Sequence, residues 1–256
     1  MEKRGNSLGQ LLKAPLREAP RPHNCPMAEK GYRSPSQAPQ EPGLTAGAFR
    51  RRWVLAVTAG EALGFLVPAS VGGLLAMSSA PDVVVYPAMI CAGAFEGILL
   101  GYGQYVGFGR FIVPRGQWLV ATGAGSAVAW SIGMLPGTFS DFDLPSPAAV
   151  PWIICGALVL LASIPTLQWL VLRRLASQTL RWIPINAGAW AAGILWTLVP
   201  SPFVDETTVF PVLLACYVVA GVLMAATVAA LTGRAARHIA NSIVGNGEPG
   251  TRTSAA

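Results

Sequence analysis

Residues 83–108 read VVVYPAMICAGAFEGILLGYGQYVGF. One charged side chain, Glu96, interrupts a run that would extend about 39 Å as a helix, at the usual rise per residue. A bilayer core is roughly 30 Å thick and takes roughly 20 mainly apolar residues per crossing. A surface helix of a soluble domain would carry a charged face, and this stretch has none. It is therefore read as a transmembrane helix. Five more segments read the same way: Trp53 to Met77, Gln117 to Pro136, Val150 to Leu172, Trp182 to Pro200 and Val209 to Thr232. The fifth of the six spans is the shortest. The expected fold class is all-α, a six-span transmembrane helical bundle occupying residues 50–244.

Composition supports this reading. The chain has 256 residues, 53% apolar and 12% charged, whereas a typical soluble domain is roughly 25% charged. Mean hydropathy is +0.50. So few charges could not cover a water-soluble fold of this size, and the same values exclude disorder for most of the chain.

The charges orient the spans. Ten of the eighteen Lys and Arg precede the first span, ending in Arg50, Arg51 and Arg52. Arg110 and Arg115 lie between spans two and three, and Arg173, Arg174 and Arg181 between four and five. Arg234, Arg237 and Arg252 follow span six. The other three loops carry Asp82, then Asp141 and Asp143, then Asp205 and Glu206. The positive-inside rule puts the arginine side, and both termini, in the cytoplasm. The net charge of +6 is thus a mark of topology, and no nucleic-acid partner is expected. The partner it implies is the lipid bilayer, with Arg50 to Arg52 near anionic headgroups.

Residues 1–49 are proline-rich and basic and read as a disordered cytoplasmic tail, with Met1 and Met27 both open as the start. Residues 245–256 read as a second disordered tail. Between Arg234 and Val244 a frayed helix end is expected.

The spans contain a repeat. Trp53, Trp118 and Trp182 stand at the cytoplasmic starts of spans one, three and five, 65 and 64 residues apart. A small residue follows each at the same offset (Gly60, Gly125, Ala189), and then a second (Gly64, Ala129, Gly193). Among the even spans, Gln104 recurs as Gln168 and Arg110 as Arg174. Three tandem hairpins entering from the same side would be parallel repeats about an axis along the membrane normal. Arg52, Trp53, Arg110, Trp118, Arg174 and Trp182 read as cytoplasmic membrane anchors.

Small residues also line span two as Gly93, Gly97 and Gly101. Lipid gives no hydrophobic drive between helices, so such stripes are packing faces, within one chain or between copies or partners. Two carboxyls lie inside spans. Glu61 sits ~12 Å and Glu96 ~18 Å from the cytoplasmic ends of their helices. Those depths allow them to share a proton or a water. An intramembrane acid is either a proton or cation site or a protonated glutamate bonded to a neighbouring helix. Gln104, Gln168 and Asn186 are read as interhelical hydrogen-bonding groups or as the lining of a polar pathway. The span cysteines Cys91, Cys155 and Cys216 read as small apolar packers.

The sequence has no GxSxG, HExxH or Walker-type glycine loop, so no enzyme activity, cofactor or metal site is expected. The segment Gln168-Trp169-Leu170-Val171-Leu172-Arg173-Arg174 resembles an element of uncharacterised bacterial multi-pass membrane proteins. In these a Gly-rich helix is followed by Gln, an aromatic, an apolar run and Arg. Gln104-Tyr105-Val106 to Arg110 is a looser copy. The resemblance implies a bacterial plasma-membrane protein and carries no activity. Three roles stay open: a non-catalytic scaffold or accessory component, a small-solute or proton-coupled transporter, and the membrane subunit of a pump with a separate ATPase.

Overall fold

The computed structural model describes residues 45–109, 111–138, 147–204 and 208–246. Six helices follow one another: α1 (Ala46–Met77), α2 (Asp82–Phe108), α3 (Arg115–Thr138), α4 (Val150–Leu172), α5 (Trp182–Leu198) and α6 (Phe210–Asn246). No strand occurs among the described residues. All six helices are long and apolar enough to cross a membrane. The short α5 reaches that length through flanking 3-10 turns, which extend its segment to Thr179–Phe203. The protein is a multi-pass integral membrane protein with an all-α fold. The loop acids Asp141, Asp143, Asp205 and Glu206, together with Arg110, Arg252 and both proposed tails up to residue 44 and from 247, lie outside the described residues.

Each helix packs against its neighbours in sequence, and α6 returns to pack against α1, so the six close into a ring. The interface between α4 and α5 is the sparsest of the six. The ring is apolar outside, and its buried polar side chains lie inside among an apolar core. Leu55, Leu63, Val120, Trp152, Leu195 and Leu231 project outward, whereas Glu61, Glu96, Gln104, Gln168, Asn186 and Thr232 are buried. This inverts the pattern of a soluble domain, and it suits a lipid surround that cannot hydrogen-bond.

Two boundaries differ from the expectation. Helix α1 starts at Ala46 rather than near Trp53, because the Thr45 hydroxyl caps it by accepting from the Ala48 N–H at 3.3 Å. A capping hydroxyl satisfies one of the orphan donors of the first turn. Helix α6 runs unbroken to Asn246, where the expectation was a frayed end after Thr232. The extra turns have a reason to persist. Ala236, Ile239 and Ala240 are buried with Phe49 and Trp53 in one apolar cluster. The added turn of α1 therefore supplies the surface on which the added turns of α6 pack. Cys91 and Cys155 also differ, for both face outward from the bundle rather than packing between helices.

Close backbone approach holds the hairpins. A Cβ added at Gly60 would stand 2.8 Å from the Leu99 carbonyl oxygen and 2.9 Å from Gly103 Cα. One added at Gly125 would stand 2.6 Å from Ile164 Cα. Gly64 has the Glu96 carbonyl oxygen at 2.9 Å from such a Cβ, and Gly193 has the Met224 carbonyl oxygen at 3.2 Å. On α2, Gly93 lies against the Trp130 ring, Gly97 against Ser126, and Gly101 against Thr122. Ala189 is buried in α5. These small residues are used within the chain. Replacing Gly60 or Gly125 by Leu should therefore lower stability by more than about 1–3 kcal/mol, the usual range for overpacking. Gly188→Leu, with nothing within 4 Å, should melt like wild type in detergent.

Candidate functional site

The antiparallel helices bring the starts of α1, α3 and α5 to one end of the ring with the finishes of α2, α4 and α6. Arg52, Arg115, Arg173, Arg174, Arg181, Arg234 and Arg237 mark this arginine end. Trp53, Trp118 and Trp182 meet there, at 0%, 0% and 1% exposure. Phe108 is their hub: its ring centroid lies 4.8 Å from Trp53, 5.4 Å from Trp118 and 6.3 Å from Trp182. Trp182 also lies 6.3 Å from both Trp53 and Trp118. The three tryptophans expected as interfacial anchors are thus a packed plug. An anchor needs a polar tip among headgroups, whereas these indoles are enclosed by protein. Arg52 has a helix end to satisfy: its Nε donates to the Gly107 carbonyl at 3.1 Å and its Nη2 to Phe108 at 2.9 Å. A cation on the orphan carbonyls of a helix C-terminus is favourably placed. Arg174 is exposed.

A hydrogen-bonded layer supports the plug. Gln168 Nε2 donates to Gln104 Oε1 at 2.7 Å and to Thr122 Oγ1 at 3.0 Å. Gln168 Oε1 accepts from Trp182 Nε1 at 2.9 Å. One amide on α4 therefore ties together α2, α3, α4 and α5. Trp53 Nε1 donates to Thr232 Oγ1 at 3.2 Å, which ties α1 to α6. Trp118 Nε1 and both polar atoms of the Asn186 amide are buried with no hydrogen-bond partner. Thr232 was not singled out from sequence, yet the signal was present, since it stands one further period beyond Gln168.

Beyond the plug the ring encloses a cavity of about 440 Å³, a size common for small-molecule sites. All six helices line it. Glu61 and Phe65 come from α1, Glu96 and Leu100 from α2, Ser126 and Trp130 from α3, Leu160 and Ile164 from α4, Trp190 and Thr197 from α5, and Met224 from α6. Met134 and Thr197, near the ends of α3 and α5, carry the lining toward the end opposite the arginines. The plug closes the other side.

The two acids meet on the cavity wall. Glu61 is 2% exposed and Glu96 6%, both line the cavity, and the Glu96 side chain packs against Gly64, one turn on from Glu61. Two neighbouring carboxyls can hydrogen-bond to each other only when at least one of them holds a proton, because a carboxylate is acceptor-only. Trp130 Nε1 donates to Glu96 Oε2 at 2.7 Å. Ser126 Oγ, beside them, donates to the Gly93 carbonyl at 2.8 Å. Glu61 Oε2 has no hydrogen-bond partner. Glu96 is therefore held by Trp130, whereas no N–H or hydroxyl group of the protein reaches Glu61 Oε2. Trp130 escaped the sequence reading because an aromatic in an apolar span gives no sign of which acid its N–H will reach.

The cavity thus brings Glu61 and Glu96 together. Gln104, Gln168 and Asn186 lie in the plug layer instead, and line no part of it. Chemically, the site can bind a small molecule with an apolar body and exchange one proton. No protein-family model, curated protein or solved structure matches this chain.

The plug layer makes a direct prediction. Trp182→Phe and Trp53→Phe each delete an indole hydrogen bond. Each should cost about 0.5–2 kcal/mol more than Trp118→Phe, whose indole N–H has no partner. Thermal melts of the three purified variants in one detergent check this ordering.

Proposed function

We propose that the protein is a proton-coupled carrier of a small solute, with the cavity as its binding site and Glu61 and Glu96 as its proton-exchanging pair. The observation that carries this reading is the Glu61 carboxyl, buried in the cavity wall with one oxygen unpartnered. A buried ionisable group in a membrane is costly, so its retention beside a cavity favours use. The scaffold reading rested on the absence of any catalytic motif and on the abundance of packing glycines. Gly60, Gly97, Gly103 and Gly125 meet their own chain's helices instead.

The carrier sits in a bacterial plasma membrane with both termini cytoplasmic. The alternation of arginine and acidic loops and the family resemblance support this placement. In this frame the present state is closed toward the cytoplasm by the tryptophan plug, and its cavity reaches toward the outside. Turning it inward requires Trp53, Trp118 and Trp182 to separate and the Gln168 bonds to break. Three tandem hairpins moving against one another supply that motion. Supporting the triplication, Gly60 meets Leu99 as Gly125 meets Ser163, one period on, and Gly64 meets Glu96 as Gly193 meets Met224, two periods on.

The experiment uses purified protein in vesicles containing a pH-sensitive dye, challenged with a panel of small solutes. Wild type should move protons when its solute is added, and Glu61→Gln and Glu96→Gln should each abolish the response. Wild-type vesicles indistinguishable from empty ones across the panel would overturn the carrier reading. Topology has a separate check. A Cys placed at Asp141 should react with an impermeant reagent added outside, and one placed at Arg174 should not.

A further inference from the structure

Resting on the carrier reading, we infer that the solute is a monovalent organic cation: a protonated amine with a compact apolar body, which takes the place of one proton on the Glu61–Glu96 pair. Four features of the cavity lead there. Its only ionisable lining groups are the two glutamates, and no Lys, Arg or His among the described residues lines it. An unpaired charge in a low-dielectric site is strongly unfavourable, so with no cation beside them the two acids stay neutral by holding their protons, and a cation in the cavity lets one of them ionise.

Next, the acceptor is already set out. Glu96 is occupied by Trp130, whereas no N–H or hydroxyl group of the protein reaches Glu61 Oε2. An ammonium N–H fits that vacant oxygen, and a charge-assisted hydrogen bond there is stronger than a neutral one. Aromatic rings stand around the acids: Phe65, Trp130 and Trp190 all line the cavity. Aromatic faces attract cations, most strongly where water is excluded. Finally, the rest of the wall is Leu, Ile, Met, Ala and Gly, with two hydroxyls, Ser126 and Thr197, whose protons are already given to the Gly93 and Ile194 carbonyls; it takes an apolar body but not a polar one such as a sugar or amino acid.

The proton balance is simple. One carboxyl gives up its proton to solvent as the ammonium enters, so the site is neutral before and after: two protonated acids when empty, one carboxylate and one cation when occupied. One cation in therefore means one proton out.

The test uses full-length protein in a non-ionic detergent and isothermal titration with 1-adamantylamine, protonated at neutral pH. The neutral 1-adamantanol, of the same shape, is the control. The amine should bind, the alcohol should bind about tenfold or more weakly, and Glu61→Gln should weaken the amine about tenfold or more, as expected for a lost charge-assisted hydrogen bond. Titrations in buffers of different ionisation heat should report the release of about one proton per amine, the stoichiometry of one carboxyl ionising. Glu61→Asp, which keeps the charge, should restore part of the affinity and guards against misfolding as the explanation. Equal affinity for amine and alcohol, or amine binding unaffected by Glu61→Gln, overturns the proposal, as does no amine binding. The two readings fail separately. Glu61-dependent amine binding with no proton movement in vesicles leaves the site standing and removes the carrier. Proton movement driven by neutral solutes alone does the reverse.

Discussion

Lipid cannot accept or donate a hydrogen bond, and the structure follows from that constraint. Every polar side chain on the six helices has to find its partner within the ring. Gln168 shows the rule at its fullest, with both ends of its amide engaged by three other helices. Trp53 and Thr232 close the ring by the same means. These bonds set which helices are neighbours and at what height, while the glycines let the backbones come close enough for them to form. The constraint is left unmet at Trp118 Nε1 and the Asn186 amide in the plug layer, and at Glu61 Oε2 on the cavity wall.

Hydropathy alone made the six helices legible, because apolar length is a property of each segment by itself. The spacing of Trp53, Trp118 and Trp182 was equally legible. Their burial was not. A tryptophan at the end of a span is an interfacial residue or a packed one according to the face it occupies, and the face is set by neighbouring helices. The same holds for Glu61 and Glu96. Their similar depths were readable from helical rise, but their contact depends on α1 and α2 meeting at Gly64. Trp130 could not be foreseen as the donor to Glu96 for the same reason. The ends of α1 and α6 were misjudged because each is stable only on the other: Phe49 and Ile239 are both apolar and bury together. A reading that takes segments one at a time cannot see a mutual dependence.

The plug and the cavity divide the work of the polar groups. Amides and hydroxyls, which stay neutral at any ordinary pH, occupy the sealed layer at the arginine end. The groups able to change charge occupy the chamber beyond it. A seal made of carboxyls would loosen or tighten with each proton, and one made of Gln104, Gln168, Thr122 and Thr232 does not.

The joint between α6 and α1 has the form of the joint between α4 and α5, since an indole meets the partner one period along in each. On the proposed triplication, three separate hairpins would form the same closed assembly. Identical hairpins, however, would present each chamber position in triplicate: three acids wherever there is now one. Stringing the hairpins on a single chain removes that obligation. It permits Ser126 and Trp190 to stand where Glu61 stands in the first unit, and Leu160 and Met224 to stand where Glu96 does. Covalent linkage is in this sense what makes a lopsided chamber possible inside a nearly symmetric wall, with one acidic side and the remainder greasy.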